Sequence, residues 1–511
     1  MPAPIQPTDL HPARSFTSRA GPGLGWWLLV GLVCVVGLAV RLYDLADPPL
    51  DFHPTRQLHA ALIARGMLYE QDHQVPEWQR EMAVMQWRAE GVIEPQVFER
   101  LVAFAYRLAG GPDLRIPRLF ATLAWMAAAV FLIWLAVDLA GRGGALLAAL
   151  FFLVWPYGVV ASRAFQPEPL VVALITACLW AALRWERRGG WNWALAAGLL
   201  AGLAIYGKSV AVFFVGPALA VLVLWQGGFA RLRDRQVWAV VGLAILPSAI
   251  YHIDGIFVRG YLVAQFSQRF FPQMWIDPAF YLRWISNLER AVPFEIVLLA
   301  AAGVFLARRP LHRALLLGLW AGYLAYGLAL PHHISTHDYY HLLFYPAVAL
   351  GLAGLGEVVV ARLSGSGRLA RLAIVVIFLS ALVVNAYEAR SILKRYDGAA
   401  QARAWEEIGD LLGPGASVVA LVPDYGSGLK YWGWINPALW PTEGEIDWRG
   451  SLGDEVDLQS WFDERAAGKD FFVVTLFDEL ERQAELSNLL YSRYSRYRQT
   501  PDYLIFDLRS P

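Results

Sequence analysis

Three carboxylates, Asp44, Asp47 and Asp51, stand close together in the stretch RLYDLADPPLDFHPTRQ (41–57), and His53 and Arg56 follow them. Pro48, Pro49 and Pro54 narrow the backbone around Asp51, and with it the directions its side chain can take. A fixed, partly desolvated carboxylate suits general-base work, because desolvation raises its basicity. A loop of solvated acids whose prolines simply end a helix fits the same residues.

Further along, SRAFQPEPL (162–170) places Arg163 and Glu168 in a short loop between apolar stretches. Glu168 at the start of an apolar run reads as a functional group, a side chain snorkelling to water, or a helix cap favoured by the dipole. Lys208, in AIYGKSV, is the single charge between two apolar runs: it either holds a lipid phosphate as a point charge or marks a turn. The densest polar run is PHHISTHDYYHLLFYP (331–346). His333/His337 and His337/His341 are i, i+4 pairs that share a metal if the segment is helical. Asp338, Tyr339 and Tyr340 suit a sugar or a phosphate, and an interfacial belt of His and Tyr gives a second account. No Walker loop, HExxH, GxSxG or dinucleotide fingerprint occurs in a credible setting.

The elements that must position these groups are apolar helices. Of the 511 residues, 57% are hydrophobic and 17% charged, with 43 basic against 43 acidic, which disfavours both a nucleic-acid binder and a disordered acidic chain. Cys34 and Cys178 lie inside apolar runs, so no disulfide framework or zinc site follows. Uncharged stretches of membrane-spanning length centre near residues 33, 128, 152, 177, 199, 218, 247, 299, 322, 348 and 379. Alternate loops carry 13 arginines, from Arg142 to Arg371, against Glu186 and Asp234. That bias puts the N-terminus and these loops in the cytoplasm and the C-terminus outside. Residues 1–24 read as a disordered tail and 25–396 as the membrane part.

Its outer loop, 44–115, holds two amphipathic patterns, Leu58/Leu62/Tyr69 and Val97/Leu101/Phe104/Leu108, expected to lie in the membrane interface. Residues 397–511 read as an outer α/β domain, with strands at 417–421, 471–476 and 503–508 and helices near 400–411 and 478–490. This segment carries 20 acidic and 10 basic residues. The neutral total is therefore the sum of two opposed compartments.

With these residues in view, the layout resembles the GT-C glycosyltransferase superfamily, in particular glycosyltransferase family 39, over most of residues 25 to 390. The resemblance implies a polytopic α-helical membrane enzyme at the outer (inner-membrane) face, taking a monosaccharide from a polyprenyl-phosphate donor to a protein, lipid or polysaccharide acceptor. A lipid or glycan transporter without covalent chemistry is the alternative. Asp51 takes the place of the family's first-loop aspartate and catalytic base. RIPRLFATL (115–123) is similar to a family segment through Arg118, Glu168 to a second acidic position, Lys208 to a common lysine, and HDYYHLLFYP (337–346) to a late outer segment. Lys208, Arg56, Arg118 and Arg163 are then candidates to stabilise the leaving phosphate, and His337, Tyr339 and Tyr340 to contact the sugar. Phe52 and His53 follow Asp51 where many relatives have Asp-Glu, which puts metal use in doubt. His53 or Glu168 would have to supply the ligand for a divalent cation.

Overall fold

The computed structural model describes residues 23–263, 270–307, 309–365, 367–451 and 457–509. Residues 1–22, most of the tail read as disordered, and Arg308 lie outside the described residues.

Apolar helices fall on all eleven stretches. The first is α1 (Leu24–Leu42), and the long loop after it holds α2 (Pro54–Glu70), α3 (Glu77–Ala89) and α4 (Val97–Ala109). Then come α5 (Arg115–Ala140), α6 (Arg142–Val154) with a short continuation α7 (Pro156–Ala161), α8 (Glu168–Arg188), α9 (Trp191–Gly207), α10 (Val212–Gly227) and α11 (Arg235–Ile253). The last four are Phe294–Leu306, Pro310–Ala329, Tyr345–Ser364 and Arg368–Arg395. Among the described residues, six helical segments are long and apolar enough to cross a membrane by length and composition, and four others are apolar but shorter. Helix α6 is one of the short ones: at 1.5 Å per residue it extends about 20 Å against a layer of about 30 Å.

Proline explains the shortening of α6. Pro156 has no N–H to give the carbonyl of Phe152, so the helix breaks there. Two side chains take up the freed carbonyls. Trp125 Nε1 donates to Phe152 O at 3.0 Å, and Arg41 Nη1 donates to Leu153 O at 2.6 Å. Arg41 is fully buried at the end of α1 and also holds Ser162 Oγ at 2.7 Å. The break in α6 thereby fixes where α1 ends and the loop carrying Asp51 begins. Elsewhere the bundle packs through small residues. A Cβ on Gly303 of Phe294–Leu306 would overlap the Gly351 carbonyl of Tyr345–Ser364.

Of the two amphipathic helices expected in the membrane interface, α4 keeps an apolar exposed face, with Leu101, Phe104 and Leu108 open. Helix α2 does not. Its residues from Gln57 to Leu68 are nearly all buried under α3, α4 and the segment Ser427–Tyr431, so its apolar side is covered by protein. Helix α3 supplies part of that cover: Gly66 of α2 sits so close to Trp87 that a methyl group would collide with the Trp87 Cβ.

After Arg395 the chain forms a helix, Ala399–Leu412, and a five-stranded sheet of order β2-β1-β3-β5-β4. The strands are β1 (Val418–Leu421), β2 (Ala438–Leu439), β3 (Phe471–Val474), β4 (Ser495–Gln499) and β5 (Leu504–Asp507). Strand β1 runs parallel to β2 and β3, and β5 is antiparallel to β3 and β4. Strands β1, β3 and β5 are hydrophobic runs buried on both faces, which is why they are legible. Strand β2 is two residues long and the SRYRQ of β4 is exposed throughout, so neither carries that signal.

The sheet domain is tied to α2 by buried polar contacts. Arg65 donates to the carbonyls of Tyr431 at 2.5 Å and Lys430 at 3.0 Å and lies 3.8 Å over the Trp434 ring. Lys430 Nζ reaches Glu90 at 3.0 Å, and Glu90 accepts from His59 at 2.7 Å.

Candidate active site

The loop between α1 and α2 is held by one glutamine. Gln57 Nε2 donates to Phe52 O at 2.7 Å and Pro49 O at 3.2 Å, while its Oε1 accepts from Phe165 N at 3.0 Å. Within this frame the Asp51 side chain is 5% exposed. Its Oδ2 accepts from Arg118 Nη2 at 2.5 Å and lies 3.8 Å from Arg163 Nε; Oδ1 has only a 3.5 Å contact from Gln57. Both arginines are anchored by the loop backbone. Arg118 holds Asp47 O at 2.7 Å, and Arg163 holds Tyr43 O at 2.5 Å and Asp44 O at 2.9 Å. Burial and the neighbouring Arg118 charge push the Arg163 guanidinium down to about 10.

Asp51 lines a cavity of about 480 Å³ together with His53, Tyr157, Arg290, Asp338 and Glu388. His53 has φ 43°, a left-handed conformation costing roughly 1 to 3 kcal/mol in a residue other than glycine. In that conformation its Nε2 meets Asp338 Oδ1 at 2.7 Å. Arg290 makes no ion pair among the described residues, although it borders the same cavity.

A second group of charges stands beside the first. Lys208 Nζ is bonded to Glu168 Oε1 and lies 3.2 Å from Glu94 Oε1, and Glu94 Oε2 pairs with Arg56 at 3.0 Å. The rings of Tyr339 and Tyr340 cover the ammonium at 5.7 and 5.5 Å, and Arg56 lies 5.9 Å from Tyr339. Burial alone would raise the Glu94 carboxyl, but Lys208 and Arg56 outweigh it and hold it down at about 2. Burial would likewise lower Lys208, yet Glu168 and Glu94 keep the ammonium above its ordinary value. Two carboxylates and two cations balance here.

Arg118 and Arg163 thus gather on Asp51, while Arg56, Glu168, Lys208, Tyr339 and Tyr340 gather on Glu94. His337 lies at the edge, its ring 5.9 Å from that of His53. The histidines of 331–346 do not form the helical pairs that a shared metal needs. The helix Pro331–Thr336 stops before His337, which is extended, and His341 turns inward to Tyr323 Oη at 2.8 Å. For a divalent cation, His53 is engaged by Asp338 and Glu168 by Lys208. Among the described residues no group of three or more His, Cys, Asp or Glu side chains converges. An ammonium already stands between the two glutamates, so the residues do not fit a metal at this place.

Sequence reasoning overlooked Glu94, Arg290 and Glu388. None of them falls in a dense polar run, and only Pro95 after Glu94 hinted at a fixed position.

Solved structures place the architecture. ArnT from Cupriavidus metallidurans, in a crystal structure bound to undecaprenyl phosphate, superposes with a TM-score of 0.59 over 95% of this chain and 98% of that one, at 15% identity. The chain has the GT-C fold. The Archaeoglobus fulgidus oligosaccharyltransferase AglB, in complex with an inhibitory peptide and a dolichol-phosphate, gives 0.57 over 94% of this chain and 74% of that one, at 12% identity. The mycobacterial arabinofuranosyltransferase AftD gives 0.52, covering 96% of this chain and 40% of that one, at 17% identity. Residues 94–252 also match the family model described as dolichyl-phosphate-mannose-protein mannosyltransferase. No curated protein matches the sequence. Trp26, at the start of α1, donates to Arg142 O at 3.0 Å, so the loop at Arg142 lies at the opposite end of α1 from the Asp51 loop.

Proposed function

We propose that the chain is a multi-pass membrane glycosyltransferase that moves a monosaccharide from a polyprenyl-phosphate donor to an acceptor hydroxyl. The reading places the enzyme in the inner membrane, with the N-terminus in the cytoplasm and the Asp51 cavity and C-terminal domain outside. The observation that carries it is Asp51: an oriented carboxylate bordering a cavity, one oxygen bound to Arg118 and the other nearly unengaged.

In this mechanism Asp51 Oδ1 takes the proton of the acceptor hydroxyl as its oxygen attacks the anomeric carbon. The bond from that carbon to the phosphate oxygen breaks, and polyprenyl phosphate leaves with the electron pair. A single displacement inverts the anomeric configuration. Stabilising the leaving charge is the main demand on the protein. Lys208, Arg56, Arg118 and Arg163 were the sequence candidates, but all are engaged by carboxylates or carbonyls; Arg290, on the wall of the same cavity, makes no ion pair among the described residues. His53, oriented by Asp338, is placed to position the sugar or the incoming hydroxyl.

The test uses purified protein in liposomes with a labelled undecaprenyl-phosphate-linked sugar and a cell-envelope acceptor extract. The expected result is release of undecaprenyl phosphate and appearance of label on the acceptor. Movement of the intact donor across the bilayer without consumption would overturn the reading in favour of transport.

A further inference from the structure

A cavity of about 710 Å³ opens in the C-terminal domain, far in sequence from Asp51. It lies at the carboxyl ends of β1 and β2, where loops leaving parallel strands form a crevice of the kind that binds ligands in open α/β sheets. Its wall includes Asp424, Tyr425, Trp440, Thr442, Glu445 and Arg465.

Three features of the wall point to a ligand. Asp424 and Tyr425 both adopt left-handed backbone conformations, φ 54° and 53°, directly before Gly426 at φ 70°. This disfavoured turn leaves Tyr425 61% exposed on the wall of the cleft. Arg465 lies 4.8 Å over the Trp461 ring and forms no ion pair among the described residues. Asp424 and Glu445 add two carboxylates to the wall, the second accepting from Thr442 N at 3.0 Å, so the wall is net negative and unsuited to a phosphate or nucleotide.

An open aromatic face, a hydroxyl and a mixed set of carboxylate and guanidinium groups instead suit a neutral polyhydroxy ligand. The C–H face of a sugar lies on the ring, and its hydroxyls pair with the charged groups.

The position of the cleft links it to the reaction. Asp424 Oδ1 accepts from Thr55 Oγ1 at 2.8 Å, and Thr55 is in the first turn of α2, two residues after His53. We propose that this cleft binds a neutral oligosaccharide, the non-reacting part of a glycan acceptor whose end reaches the Asp51 cavity. The acceptor role rests on the transfer reading above; binding of the glycan does not.

The experiment applies the full-length detergent-solubilised protein to an array of neutral oligomers of hexoses, pentoses and N-acetylhexosamines. Binding to at least one class is expected, weakened about tenfold or more in Tyr425→Gly. Glycine accepts the left-handed backbone, so this variant loses the ring without adding strain. Tyr497→Ala, which removes an exposed ring on β4, is the control and binds as the wild type does. Absence of binding to every oligomer, or equal binding by Tyr425→Gly, overturns the proposal. Donor consumption is measured in parallel. Glycan binding without it sinks the transfer reading and the acceptor role together but leaves the cleft as a glycan site, and donor consumption without glycan binding sinks the cleft alone.

Discussion

Two clusters of buried charge occupy the same face of the bundle and are built on opposite terms. Around Asp51 a single carboxylate meets two arginines, borders a cavity and keeps one oxygen almost unengaged. Around Glu94 two carboxylates meet two cations, aromatic rings cover the ammonium, and the charges are spent on each other. A group that must take a proton needs spare acceptor capacity, whereas a closed set of pairs fixes elements in place. The Glu94 cluster joins the start of α2, the loop before α4, the start of α8 and the turn after α9, and α2 is also the helix whose Gln57 holds the Asp51 loop. The first cluster is the candidate for chemistry, and the second is its frame.

That division is broken most directly at Asp51. Asp51→Asn keeps the size of the side chain and removes the base, so transfer should fall by roughly 10²- to 10⁴-fold. The measurement is initial-rate transfer at saturating donor, and activity near the wild-type level would remove Asp51 from the role. Lys208→Met probes the frame. It leaves the carboxylates of Glu94 and Glu168 with one cation fewer, and removing one partner of a buried pair costs about 3–5 kcal/mol. Thermal unfolding in detergent should show this as a lower midpoint, with partial recovery in Lys208→Met/Glu168→Gln. If the double variant is no better than the single one, the two groups are not coupled as described.

The sequence made the types of these residues visible but not their pairings. Asp51, Arg118 and Arg163 stand out as charges at the ends of apolar runs, yet the contacts joining them span 67 and 112 positions and depend on how α1, α5 and α8 meet. The eleven apolar stretches are legible because membrane-spanning helices must be continuously apolar. The fate of α2 was not, since an amphipathic pattern does not reveal whether lipid or protein covers its apolar side. For the histidines, i, i+4 spacing implies a shared face only in a helix, and the chain leaves the helix at Thr336.

The smallest effect sharpens the same contrast through a residue that the frame leaves out. Glu99, in α4, borders the small polar pocket that also includes Arg56 and Glu94. Arg56 is committed to Glu94, and among the described residues Glu99 makes no ion pair. Burial, reinforced by the nearby Glu94 charge, raises its carboxyl from 4.5 to about 7. The folded protein therefore holds a proton on Glu99 between about pH 4.5 and 7 that the unfolded chain has released. Below that window the group is neutral in both states and costs nothing. Across it, stability falls as pH rises, by up to about 3 kcal/mol, and above it the penalty is complete. Glu99→Gln removes the charge, so its melting temperature should exceed that of the wild type at pH 8 and match it at pH 4. Equal midpoints at both pH values would mean that Glu99 finds a cation after all, and that the Glu94 cluster is not the closed, balanced set on which the contrast with Asp51 depends.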